Sequence, residues 1–265
     1  MIEVLIPTYE RAAALAVTLT ALAFQTRPPS RIVVSDQSAA PVAEVPEVAS
    51  VARLLRAKGV GIEFHRNLPR RGLAQQRQFL LDRAREAQLL FLDDDVIGEP
   101  WLLGLMGDAL ARAGCGFVGS AVIGLSFLDD VRPREQAIEL WDGPPMPETV
   151  LPDRPAWARH RLHNAANLWH VQQRLGATPR APRLYKIAWV GGCVLYDRVK
   201  LIACGGFDFW EGLPETHAGE DVFAQQRVMA RFGGAGVIPS GAYHQELATT
   251  VPDRAFDVPH RLALA

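Results

Sequence analysis

An apolar run at residues 89–100, LLFLDDDVIGEP, ends abruptly in three carboxylates. Like charges repel, so Asp93, Asp94 and Asp95 are costly side by side unless a cation or solvent offsets them. In an extended segment Asp93 and Asp95 point the same way. Such a pair suits a hard divalent cation, magnesium or manganese, which prefers oxygen ligands and binds a substrate's phosphate oxygens. A solvated acidic loop has the same composition. Asp36 closes a second apolar run, where it could accept from a base N–H or a ribose hydroxyl, or simply cap an Asx turn. Glu220 and Asp221 open a helical pattern, a place the helix dipole already favours for acids. The chemical alternative there is a general base for an attacking hydroxyl. His244 follows a short apolar strand and reads as a metal ligand or as a surface histidine.

The elements that must hold these residues alternate. Short β-like runs at residues 3–7, 31–35, 61–65 and 88–92 are separated by helical patterns. Leu15, Leu19 and Leu22 recur at the spacing of one helical face, further helices are expected near 48–58 and 73–87, and strands alternating with helices imply a mostly parallel sheet covered on both faces. In such sheets ligands bind beyond the carboxyl ends of the strands, which singles out Pro7, Thr8, Tyr9 and Glu10, Asp36, and Asp93 to Asp95. Later in the chain a strand is expected within 116–124 and a proline-rich irregular stretch between Trp141 and Pro155. A helix is expected at 156–175, a strand with a paired-glycine turn at 186–199, a helix at 221–232 and a strand at 236–238.

From Arg154 to Tyr196 there is no acidic residue, while Arg154, Arg159, Arg161, Arg174, Arg180, Arg183 and Lys186 are interspersed with Trp157, Trp169 and Trp189. Such a segment could grip a phosphate-bearing lipid, a sugar ring or an anionic membrane surface, or its arginines could pair with acids elsewhere. The net charge of -1 argues against a general nucleic-acid binder. No apolar run reaches the length of a membrane span, and the N-terminus lacks the pattern of a signal peptide. Three cysteines without metal spacing point to buried thiols in a reducing cytosol. The expected location is therefore cytoplasmic, with peripheral contact at the inner membrane face through the basic segment.

Together these pieces resemble glycosyltransferase family 2, the inverting group with the GT-A fold. VLIPTYERAAAL (residues 4–15) is similar to its first strand, nucleotide-contacting loop and helix, and VSDQSA (34–39) to its second strand, with Gln37 and Ser38 departing from the usual pattern. RNLPRRGLAQQRQ (66–78) aligns Arg77 with the family's arginine, although Gln78 stands where an Asn is usual. FLDDD with Pro100 matches the DXD strand, WVGGCVLYDRVKLIACGGFDFW (189–210) the two Gly-Gly segments, and GEDVFAQQRVMARFG (219–233) the Glu-Asp helix.

The resemblance implies an α/β GT-A fold with a Rossmann-like nucleotide-sugar half at 1–115 and an acceptor and catalytic-base half at 116–265. It implies transfer of a sugar from a nucleotide diphosphate sugar, UDP-sugar favoured, to a saccharide or lipid-linked acceptor, as in cell-envelope or polysaccharide biosynthesis. The donor would meet Pro7, Thr8, Tyr9, Glu10, Asp36, Arg77, Asp93 and Asp94. Mn2+ or Mg2+ would sit on Asp95 with Asp93 and His244. Asp221 would be the base, and Trp189, Gly191, Gly192 and Glu220 would meet the acceptor. A nucleotidyltransferase is the competing enzyme class, but its Gly-rich basic loop after the first strand is absent. A non-catalytic nucleotide-sugar-binding module is the third reading.

Overall fold

The computed structural model describes residues 1–264; Ala265, the last residue of the expected second half, lies outside them. Strands β1 (Ile2–Thr8), β2 (Arg31–Asp36), β3 (Gly61–Arg66) and β4 (Gln88–Leu92) alternate with α1 (Ala12–Ala23), α2 (Pro46–Ala57) and α3 (Leu73–Arg83). Next come β5 (Val96–Gly98), α4 (Leu102–Ala113), β6 (Phe117–Gly119), α5 (Asn167–Arg174), β7 (Arg183–Tyr185), β8 (Cys193–Asp197) and α6 (Arg198–Ala203). The chain ends with α7 (Glu220–Phe232), β9 (Gly234–Ile238), β10 (Ala242–His244) and α8 (Val258–Arg261). Eight strands form one sheet in the order β3-β2-β1-β4-β8-β6-β9-β7, and β10 pairs with β5 in a separate ribbon. Four of the seven neighbouring pairs in the large sheet are parallel. The halves expected on either side of residue 115 thus share a single sheet.

The period-2 alternation of a strand explains the two-sided core. Val4, Ile6, Leu90 and Leu92 face a layer that includes Leu15, Leu19 and Leu22 of α1 and Met106 of α4. Leu5, Leu89 and Phe91 face the opposite layer, with Leu80 and Leu81 of α3 and Val228 and Met229 of α7. Burial on both faces is why these strands read as continuous apolar runs. All three cysteines are buried and free, and among the described residues no helix is long and apolar enough to cross a membrane.

Several boundaries differ from expectation, each for a tertiary reason. Helix α3 stops at Arg83 instead of 87. The fully buried Glu3 carboxylate accepts from the backbone N–H groups of Arg85 and Glu86, drawing the chain away from the helix. The helix expected over 156–175 breaks into a run of 3-10 turns, Pro155–His163, and α5, with Ala165 at φ 48 between them. The strand in 116–124 shrinks to β6; the Ser120 N–H still donates to the Cys193 carbonyl, and its hydroxyl donates to the Ser240 carbonyl just beyond the strand. The strand with the paired glycines is only β8, and the glycines precede it. The three-residue strands β5, β7 and β10 have no counterpart among the expected elements.

Gly236 lies opposite Tyr185 in the β7–β9 ladder, and a Cβ there would come 2.2 Å from the Tyr185 ring. Overpacking of this kind costs about 1–3 kcal/mol. Gly236→Ala should therefore lower the urea midpoint of unfolding without altering the slope; an unchanged midpoint would show that the ring yields freely.

Candidate active site

The sheet brings three chain segments to one edge. Parallel pairing of β1 with β4 sets Thr8 beside the aspartates, and the Thr8 hydroxyl donates to Asp94 at 2.6 Å. Antiparallel pairing of β4 with β8 sets the Gly191–Gly192 turn on the other side, where the Asp93 N–H donates to the Gly192 carbonyl at 2.9 Å. A Cβ on Gly192 would lie 3.5 Å from Asp93 Oδ2, and its φ of 78° is one that glycine adopts without strain. The β5–β10 ribbon delivers the fourth piece. With His244 opposite Val96, the His244 Nε2 lies 3.5 Å from Asp95 Oδ2.

Helix α7 closes the site with Glu220 and Asp221 in its first turn. A buried guanidinium joins this turn to the aspartates: Arg77 Nε donates to Glu220 and Nη2 to Asp93, each at 3.0 Å. Burial alone would lower the pKa of Arg77. The charges of Asp93, Glu220 and Asp221 more than reverse this and keep it ionised. Asp221 is pushed up to about 7, first by burial and next by Glu220, with Arg77 pulling the other way. Asp94 also reaches about 7, again through burial, while the Thr8 hydrogen bond opposes the shift. Asp95 is raised by burial and by Asp93, against His244 and Arg11.

All these groups border one cavity of about 530 Å³, a size that fits a small-molecule ligand. Pro7, Thr8, Tyr9, Arg77, Asp93, Asp94, Asp95, Trp189, Gly191, Gly192, Glu220, Asp221 and His244 line it. Glu10 and Asp36 are not brought to it. Glu10 turns outward and accepts from the Ala39 N–H. Asp36 accepts from the N–H groups of Ser38 and Val42 and from Arg66 at 2.6 Å, the Asx arrangement that its residue type also allowed. Glu220, expected to meet an acceptor, is 2% exposed and bonded to Arg77.

The cavity also holds residues to which the sequence reading gave no role. Arg11 donates to Asp95 at 2.7 Å and to the carbonyl of Ala248, which links the aspartates to the C-terminal segment. His217 accepts from the Ala74 N–H through Nε2, so its Nδ1 carries the proton and donates to the Pro214 carbonyl. This bond fixes the loop before α7 against the start of α3. Leu247, Val251 and Asp257 reach the cavity from far along the chain, and nothing in their local sequence marks them.

The donor set suits a hard cation. Among the described residues no three His, Cys, Asp or Glu side chains already surround one point. One or two carboxylates completed by phosphate oxygens and water are nonetheless ordinary for magnesium-type sites, and Asp95, with His244 Nε2 3.5 Å away, lies on the cavity. Arg11 pairs with the same Asp95 oxygen at 2.7 Å, so a cation on Asp95 would have to displace or share that contact. In the basic segment, Arg159 pairs with Glu139 and Glu148, and Lys186 with Glu139.

The model of the glycosyl transferase family 2 matches residues 3–154. No curated protein matches the sequence. Similar solved structures include S. aureus TarS, with 14% identity, a TM-score of 0.55, and coverage of 92% of this chain and 36% of that one. TarS in complex with UDP-GlcNAc gives 13% identity and 0.58, covering 94% and 60%. The mannosyltransferase PcManGT from Pyrobaculum calidifontis, in complex with GDP-Man and Mn2+, gives 17% and 0.57, covering 94% and 58%. At these identities the likeness is one of fold, and this chain spans 36% to 60% of the length of those structures.

Removing one partner from a buried ion pair costs about 3–5 kcal/mol. Arg77→Met should destabilise the chain by that order, and adding Glu220→Gln should recover part of the loss; urea denaturation of both variants checks it. A second expectation concerns pH. Asp221 titrates near 7 when folded, against about 3.8 ordinarily, so between those values the native state holds more protons than the unfolded one and stability falls as pH rises. Asp221→Asn should flatten that decline and gain stability over the parent at pH 8. Parallel pH–stability curves for the two proteins would contradict the assignment.

Proposed function

The chain belongs to glycosyl transferase family 2, and from that premise we propose that it transfers a sugar from a nucleotide diphosphate sugar to an acceptor hydroxyl, in one displacement that inverts the anomeric carbon. One observation carries this reading. The aspartate cluster and Asp221 border the same cavity from different sides, held apart by the Gly191–Gly192 turn and joined through Arg77.

The aspartate side takes the donor. Thr8, Tyr9 and Asp94 would flank the nucleoside diphosphate, and Asp95 with His244, assisted by Asp93, would hold a divalent cation. When bound, that cation supplies positive charge against the charge building on the leaving diphosphate. Asp221 stands opposite and takes the proton of the acceptor hydroxyl as its oxygen bonds to the anomeric carbon; the bond to the phosphate oxygen breaks and its electron pair leaves with the diphosphate. A carboxylate pushed up to about 7 is a far better proton acceptor than an ordinary one, yet is still ionised in good part at neutral pH. Glu220 and Arg77 act by positioning that carboxylate. A uridine diphosphate sugar is the donor to test first, with guanosine diphosphate mannose next; the similar structures carry these two classes. The acceptor is a saccharide or lipid-linked saccharide. Exposed arginines of the segment from Arg154 to Lys186 serve a peripheral membrane contact.

Asp221→Asn should bind donor in the presence of manganese but transfer about 10²–10⁴-fold more slowly. For the parent enzyme, kcat/KM should rise with pH up to about 7 and then level, as Asp221 loses its proton. Steady-state kinetics from pH 5 to 9 read both effects. Undiminished turnover in the variant would remove Asp221 from the mechanism.

A further inference from the structure

The transferase reading gives Trp189 to the acceptor but leaves unassigned a second indole on the same cavity, Trp157. Trp157 and Trp189 both line the cavity and are partly exposed there. His160 lies between them: its ring stacks on Trp189 with an interplanar angle of 7° and a centroid separation of 6.4 Å, and it lies 6.1 Å from Trp157. The other edge of Trp157 meets His260 of α8 at 6.0 Å, nearly perpendicular. The two indoles thus reach the cavity from two distant segments, with His160 and His260 packed against them.

That arrangement is built, not incidental. The 3-10 run carrying Trp157 and His160 is anchored by Arg159, whose guanidinium bridges Glu139 and Glu148 at 2.9 and 2.8 Å. His160 Nδ1 lies 2.7 Å from the Trp157 carbonyl, which fixes the two rings relative to each other. Helix α8 is held by the bond from the Val258 N–H to Ala218, just ahead of Glu220. Trp189 also has a fixed relation to the base. A Cβ on Gly191 would lie 3.6 Å from the Trp189 ring and 4.0 Å from Asp221 Oδ2. Glycine at this position keeps the gap between indole and carboxylate open.

We propose that Trp157 joins Trp189 in the acceptor subsite as a specificity-determining residue, and that the ring it grips is a neutral pyranose. The inference rests on the transferase reading above and names its acceptor. A pyranose has one face rich in C–H bonds and an edge of hydroxyls. The C–H face, slightly positive, lies on the negative π face of an indole. The hydroxyl edge then points across the Gly191 gap toward Asp221, where the proton is taken. A bare hydrocarbon chain would use the indoles but present no hydroxyl to the carboxylate. Trp157 lies beyond the residues matched by the family model, so this specificity comes from the chain's own segment.

Saturation-transfer NMR on the intact chain tests it, with methyl α- and β-hexopyranosides and N-acetylhexosaminides as probes and octyl glycosides as the hydrocarbon arm. Saturation should reach the ring protons of at least one methyl glycoside. Trp157→Ala should weaken that binding about tenfold, while Trp157→Phe retains it. Gly191→Ala, whose added methyl makes only ordinary contacts, should weaken it as well, and circular dichroism verifies that each variant is folded. Contact with no methyl glycoside, contact through the octyl chain alone, or binding indifferent to Trp157→Ala would overturn the proposal. Calorimetry with uridine and guanosine diphosphates on the same protein separates the two levels. If neither nucleotide binds, the transferase reading fails; if one binds but the sugars do not touch Trp157, only the acceptor subsite fails.

Discussion

A single buried guanidinium organises the site. Arg77 is 4% exposed and lies between Asp93, at the end of β4, and Glu220, at the start of α7. Without it the buried Glu220 and the neighbouring Asp221 and Asp93 carboxylates would repel one another with no cation between them. With it, two elements that are far apart in the chain are drawn to one another through a third, α3. The same cation determines how basic Asp221 can be. Burial and Glu220 raise its pKa, Arg77 lowers it, and the balance settles at about 7. Position and proton affinity thus depend on one side chain, so a change at Arg77 disturbs fold and chemistry together.

What could be read from the sequence follows from this physics. β1 to β4 are visible because a strand buried on both faces needs a short apolar run, and turn-forming residues bound each one. The aspartate triplet and the Glu-Asp pair are visible because charge at the edge of an apolar run is costly and therefore conspicuous. The glycosyltransferase family was legible from the order of these motifs, and the family model over residues 3–154 agrees. Asp36 was ambiguous in sequence because an Asx turn and a nucleoside contact need the same residue type; the Ser38 bond is that of the turn, and Val42 and Arg66 also engage the carboxylate.

The rest was hidden because it is made by contacts between distant segments. Three-residue strands such as β5 and β10 carry too little periodicity to be seen, yet their pairing is what brings His244 beside Asp95. Arg11 looks like any surface arginine until the fold sets it against Asp95. The end of α3 depends on Glu3, some eighty residues earlier in the chain. The basic segment shows the same limit. Its excess of arginine is plain in the sequence, but only the fold reveals that Arg159 is held by Glu139 and Glu148 and so fixes Trp157 in place.

These contacts divide the cavity by origin. The side bearing the aspartates is made chiefly by β1, β4 and their loops, within the stretch that the family model matches, with His244 of β10 added from beyond it. The opposite side comes from the 3-10 run after Pro155, the approach to β8, the start of α7 and the C-terminal segment. On the proposed reading the aspartate side handles a charged diphosphate, which demands carboxylates and a cation in a narrow geometry. Gripping a neutral ring demands only a flat apolar surface at the right distance from a base, which many loop arrangements can supply. Arg77 spans the boundary, with Asp93 on one side and Glu220 on the other. Arg77 therefore fixes the spacing between Asp93 and Glu220 whatever surrounds them, so the proposed acceptor side can be shaped separately from the aspartate side.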